Sequence, residues 1–110
     1  MKIAVPTSEG ILDPHFGHCT EFTLFEIEND EVKEISRVNA PPHKPGMLPP
    51  WLAEKGVTGI IAGGMGHRAI EIFNSLGVDV YCGAPLMTPG ELVDGFLKNT
   101  LRFSVNSCNH

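Results

Sequence analysis

The stretch from Val57 to Arg68 limits the fold more than any other. Gly59-Ile60-Ile61-Ala62 is a continuous apolar run, which suits a parallel strand covered on both faces. Gly63-Gly64-Met65-Gly66 follows as a tight turn, and His67 to Leu76 has the helical stripe Ile70, Ile72, Phe73, Leu76. Gly77 closes that helix, and Val78 to Cys82 reads as the next strand. A strand–helix–strand unit of this length crosses over right-handed, so its two strands are expected to lie parallel.

The remaining segments fit around that unit. Lys2 to Pro6 reads as a buried central strand, and Thr7 to Gly17 as a loop rich in Gly, Pro and Asp. Glu21 to Ile27 and Glu31 to Val38 alternate about Asn29-Asp30, which predicts an antiparallel hairpin. Pro41, Pro42, Pro45, Pro49 and Pro50 stiffen a second loop before a short helix over Trp51 to Lys55. Thr88-Pro89-Gly90-Glu91 is a capping box with proline at the first helical position. Leu92, Val93, Phe96 and Leu97 give that last helix its apolar face, and the polar end, about 103–110, is expected to be flexible. The expectation is one α/β domain over residues 1–110, with a mixed five-stranded sheet, an N-terminal antiparallel hairpin and flanking helices.

Charge and cysteine usage remove several function classes. The 110-residue chain has a formal net charge of −5, and its Lys and Arg are scattered. Nucleic acid and anionic membrane surfaces both need a basic face, so neither is an expected partner. No apolar run is long enough to span a bilayer. Cys19, Cys82 and Cys108 are too few and too far apart for a disulfide framework, so reduced thiols in a cytoplasmic protein are expected.

Chemistry concentrates at two strand ends. His15, His18 and Cys19 fall within five residues after the first strand. Imidazole and thiolate are the ligands that borderline and soft metals prefer. Gly63, Gly64 and Gly66 let backbone approach a ligand closely, and their N–H groups with the helix N-terminus form an anion nest. His67 and Arg68 add side-chain donors there, and Met65 is a packing residue or a soft ligand. His43, in the Pro-rich loop, is a third candidate. Cys82 reads as a core residue, and Cys108 with His110 as a weak metal-binding pair.

Catalysis has little support. Gly64-x-Gly66-x-x-Ala69 matches part of a dinucleotide fingerprint, but the acidic residue expected at the end of the next strand is absent. No Gly-x-Ser-x-Gly elbow is present, and neither Lys2 to Pro6 nor Val57 to Ala62 carries an acidic side chain for a two-metal nuclease. The expectation is a binding protein rather than an enzyme. Its alternatives are a ligand-free interaction or regulatory module, or a nucleotide-using enzyme.

His15-Phe16-Gly17, Leu48-Pro49-Pro50-Trp51-Leu52 and Ile61-Ala62-Gly63-Gly64-Met65-Gly66, in that order, resemble the dinitrogenase iron–molybdenum cofactor biosynthesis family. That group holds NifX-like and NifB-C-terminal-like domains and the molybdenum–copper orange protein. The resemblance implies a ribonuclease H-like fold without nuclease activity. It implies carriage or scaffolding of a metal–sulfur cluster, iron–sulfur or molybdenum-containing with iron or copper. Its partners would be cluster donor or acceptor proteins, and the domain a monomer or weak homodimer. His15 matches the family's cluster-associated histidine, and Gly64-Met65-Gly66 its pocket-lining turn. His18 stands where arginine is frequent, and His67 where histidine is not. These departures, together with the match at His15, make His15, His18, Cys19 and His67 the expected metal ligands.

Overall fold

A computed structural model describes residues 1–42 and 46–103. His43, Cys108 and His110 lie outside the described residues, and so does most of the segment expected to be flexible.

The strands are β1 (Lys2–Ser8), β2 (Ile11–Leu12), β3 (Glu21–Glu28), β4 (Glu31–Asn39), β5 (Gly59–Ile61) and β6 (Asp79–Tyr81). The helices are α1 (Leu48–Glu54), α2 (His67–Ser75) and α3 (Pro89–Leu97), with a single 3₁₀ turn over Phe16–His18. The sheet runs β4-β3-β1-β5-β6, and β2 pairs with β1. It is therefore six-stranded, where five strands were expected. The addition is β2, whose Leu12 and Ile11 pair with Thr7 and Ser8. Two residues are too short to show a period, and the strand exists because Glu9 and Gly10 turn with positive φ (55° and 84°).

β1 is the pivot. It is antiparallel to β3 and parallel to β5, and β5 is parallel to β6. The β3–β4 hairpin turns through Asn29 and Asp30, at φ 52° and 61°, as a two-residue connection of this hand requires. Strand alternation sends side chains to opposite faces. Ala4, Phe22, Leu24, Ile60 and Ala62 face α1 and α2 with Leu52 and Phe73. Ile3, Val5, Phe25, Ile27 and Ile61 face α3 with Leu92 and Val93. Both layers are closed to water: Phe22, Phe73, Ile60, Leu52 and Leu92 are all 0% exposed. Fully burying each such side chain contributes roughly 1.5–3 kcal/mol.

The helix ends follow from local chemistry. Thr88 Oγ1 accepts from the Glu91 N–H at 3.3 Å, and the Thr88 N–H donates to Glu91 Oε1 at 3.2 Å, which is the capping box read from the sequence. Helix α1 begins at Leu48 rather than Trp51, because Pro49 and Pro50 occupy its first turn, where their missing N–H groups cost nothing. Gly77 ends α2 with φ 76°, donating to Asn74 O at 3.1 Å while Val78 donates to Phe73 O at 2.9 Å. Among the described residues, no helix is long and apolar enough to cross a membrane.

Candidate functional site

The carboxyl ends of the three parallel strands carry the loops 9–20, 62–66 and 82–87. These loops meet. His15 forms a parallel bridge with Gly64. Gly64 N–H donates to Pro14 O at 2.9 Å, and Phe16 N–H returns to Gly64 O at 3.2 Å. Gly83 N–H reaches Gly63 O at 2.7 Å, and Ala84 N–H reaches Ala62 O at 3.0 Å. The sheet thus extends past its strands into a rim of loop backbone.

Gly63 is what permits this approach. A Cβ at position 63 would lie 3.0 Å from Pro14 Cα and 3.1 Å from Pro14 O, both backbone atoms. The first loop is held from below as well. Phe16 is buried and packs edge-on to Phe73 at 5.5 Å between ring centroids. Asp13 closes the loop: Oδ1 accepts from the His15 N–H at 2.8 Å, and Oδ2 accepts from Ser8 Oγ at 2.7 Å. Ser8 Oγ in turn accepts from the Thr20 N–H at 3.1 Å, so both ends of the loop are tied together.

Between the loops is an open cavity of about 870 Å³, within the usual size of small-molecule sites. His15, His18, the Gly63–Gly66 turn, Leu86 and Arg102 are among the residues that line it. The His15 and His18 rings sit 5.5 Å apart between centroids. Met65 is 3% exposed, in the core and against the cavity wall at once. The N–H groups of Met65 and Gly66 donate no hydrogen bond within the described residues. Gly66 is the N-cap of α2, so these donors stand beside the positive end of that helix. None of the 13 Asp and Glu side chains lines the cavity. In a chain of net charge −5, this mouth is a local region of opposite character.

Three residues expected at the site fall elsewhere. Cys19 packs against the core beneath α1 and α2 and does not line the cavity. Burial pushes its thiol up to about 12, and the Asp13 carboxylate adds to the rise. A thiol so placed stays protonated at neutral pH. His67 is exposed and outside the cavity lining. Arg68 lines a separate small pocket with Phe16, Leu48, Pro49 and Ile72. No group of three or more His, Cys, Asp or Glu able to hold a metal ion occurs among the described residues. Cys82 is buried in the core as expected, but it is disulfide-bonded, while Cys19 is the free cysteine among the described residues. The expectation of reduced thiols therefore fails at Cys82.

Arg102 was missed from sequence. It reaches the cavity because the chain reverses after α3. Asn99 takes φ 57° and donates to Phe96 O at 3.2 Å, while Thr100 N–H donates to Gly95 O at 2.9 Å. This is a Schellman ending, with asparagine in the left-handed position. The Lys98-Asn99 pair was the available signal.

Comparison with known proteins gives the family and the fold. The family described as dinitrogenase iron–molybdenum cofactor matches residues 1–99. The chain belongs to that family. Within reach of it, the uncharacterised protein MJ0580 of Methanocaldococcus jannaschii is 41% identical over 86 residues, which covers 74% of this chain and 73% of that protein. The crystal structure of PH0822 superimposes with a TM-score of 0.90 at 29% identity, covering 96% of each chain. The apo form of the orange protein from Desulfovibrio gigas superimposes with a TM-score of 0.78 at 21% identity, covering 94% of this chain and 92% of that one, and so shares the fold.

Proposed function

We propose that this domain binds and carries a metal–sulfur cluster, or a precursor of one, in the cavity between the His15 loop and the Gly63–Gly66 turn, without catalysing a reaction. The observation that carries the reading is the donor set. A cluster ligated wholly by protein is held by several thiolates or imidazoles, as many as four. Among the described residues, this cavity offers two imidazoles, His15 and His18, and no thiolate. What it offers instead is the Met65 and Gly66 N–H groups, a helix N-terminus, one guanidinium and no carboxylate. Sulfide-rich clusters are anionic, and backbone donors with a nearby cation are what an anion needs. The residues fit a preassembled anionic cluster held by charge and hydrogen bonds, with His15 and His18 as its direct metal contacts.

The family membership supports a role in cofactor assembly, and the open mouth suits a cargo that enters and leaves. Its partners in this reading are the proteins that donate and accept the cluster. The test is anaerobic purification followed by reconstitution with iron, molybdenum or copper plus sulfide, with metal and sulfide counted per chain. The expected result is a coloured protein with bound metal and sulfide, lost in the His15→Ala/His18→Ala double variant. A protein that remains colourless and metal-free through every reconstitution overturns the reading.

A further inference from the structure

We propose that residues 101–103 form a strap across the cavity mouth, and that Arg102 on this strap is the cation that selects an anionic cargo. The inference rests on the reading of the cavity as a cluster site, and it names a residue and a segment that lie beyond the 1–99 match to the family.

The strap is held at three points. The Schellman ending at Asn99 turns the chain back over the last turn of α3, where Leu101 N–H donates to Gly95 O at 3.2 Å. The strap packs closely on that turn: a Cβ at Gly95 would lie in van der Waals contact with Leu101 Cβ, at 3.4 Å. Leu101 then packs against the Leu92 and Val93 layer. Beyond it, the Phe103 ring lies over Tyr81 at 6.2 Å, and Tyr81 stands edge-on to Phe96 at 4.8 Å. Arg102, between two anchored residues, is delivered to the cavity that the glycine turn also lines.

Its charge is uncommitted. Among the described residues the ion pairs are Lys33–Glu31 and Lys98–Asp94, and Arg102 joins neither. No hydrogen bond within the described residues uses its guanidinium. Among the described residues it is the one Lys or Arg lining the cavity, and no Asp or Glu competes for it there. An arginine held by flanking anchors, with no partner among the described residues, shares the cavity with the backbone N–H donors and adds a side-chain cation to the anion-binding surface. The backbone nest supplies the hydrogen-bond donors, and Arg102 supplies the cation.

The experiment is anaerobic equilibrium dialysis of the full chain against tetrathiomolybdate, a sulfide-rich dianion, at several salt concentrations. The variants are Arg102→Gln, Arg102→Lys, Phe103→Ala and Lys33→Gln, the last changing net charge equally on the edge strand β4. Thermal unfolding of each checks the fold. The expected result is binding weakened at least about tenfold in Arg102→Gln, with a flatter salt dependence, and partly restored in Arg102→Lys. Phe103→Ala is expected to weaken binding by a smaller factor, and Lys33→Gln to leave it unchanged. Wild-type binding with an equal affinity in Arg102→Gln overturns the strap and leaves the cavity reading standing. A loss in Lys33→Gln as large as in Arg102→Gln overturns it too, because bulk charge would then suffice. Absence of wild-type binding overturns the cavity reading and the strap with it.

Discussion

Replacing Gly63 with alanine separates the two loops that make the site. The new Cβ would meet Pro14 Cα at 3.0 Å and Pro14 O at 3.1 Å. Neither atom belongs to a flexible side chain, so relief requires the His15 loop to move. Overpacking of this kind costs about 1–3 kcal/mol. The two hydrogen bonds joining the loops, Gly64 N–H to Pro14 O and Phe16 N–H to Gly64 O, are directly in the path. Each is worth about 1 kcal/mol net. Movement that relieves the clash weakens the bonds, so the costs trade against each other and do not simply add. The expected loss is about 2–3 kcal/mol in urea unfolding, or roughly 10 °C or more in Tm for a domain of this size. Gly90→Ala is the matched control. Nothing lies within 4 Å of its added Cβ, and it sits in the first turn of α3. Alanine there is expected to be neutral or to stabilise by up to about 1 kcal/mol. Cluster retention should fall in Gly63→Ala and persist in Gly90→Ala. A Gly63→Ala protein with wild-type stability and wild-type retention would show that the contact with Pro14 does not shape the site.

Asp13→Ala removes the acceptor for the His15 N–H and for Ser8 Oγ, and it should loosen the loop, lowering cluster affinity with a stability loss of about 1–3 kcal/mol by urea unfolding. Thr88→Ala breaks the α3 capping box and should cost about 1 kcal/mol without altering cluster retention, since the box lies outside the cavity. Cys19, with its thiol pushed up to about 12, should react with iodoacetamide at pH 8 about a hundredfold or more slowly in the folded protein than in denaturant. The same shift sets a direction with pH. The folded thiol holds its proton above the ordinary value of 9.0, where the unfolded one releases it, so stability from this group is complete below 9.0 and declines as pH rises toward 12. Fast alkylation in the native state would place Cys19 in the solvent instead.

Elements governed by local signals were legible in the sequence. The Asn29-Asp30 hairpin, the Thr88 capping box and the glycine turn into α2 each depend on a few adjacent residues, and each stands where its pattern put it. So does the meeting of the His15 loop with Gly64, because both follow parallel strands that lie side by side. What could not be read depended on direction or on distant chain. Clustering in sequence put Cys19 beside His15 and His18, yet the 3₁₀ turn at Phe16–His18 leaves the thiol packed on the core and the two imidazoles at the cavity. Arg68 is one residue into α2 from His67, and helical rotation carries it to the α1 side. Arg102 depends on a chain reversal at Asn99 and on a ring contact with Tyr81 more than 20 residues earlier in the chain, neither of which has a periodic signature. Strand β2 is two residues long and is fixed by its pairing with β1 rather than by composition.

The most direct measurement is an anomalous-difference map from crystals of the anaerobically reconstituted protein. Metal density is expected in the cavity, within contact distance of His15 and His18, beneath Arg102 and facing the Met65 and Gly66 backbone. Density at Cys19 or His67 with none in that cavity, or crystals of a fully reconstituted protein with no ordered metal there, would contradict the account.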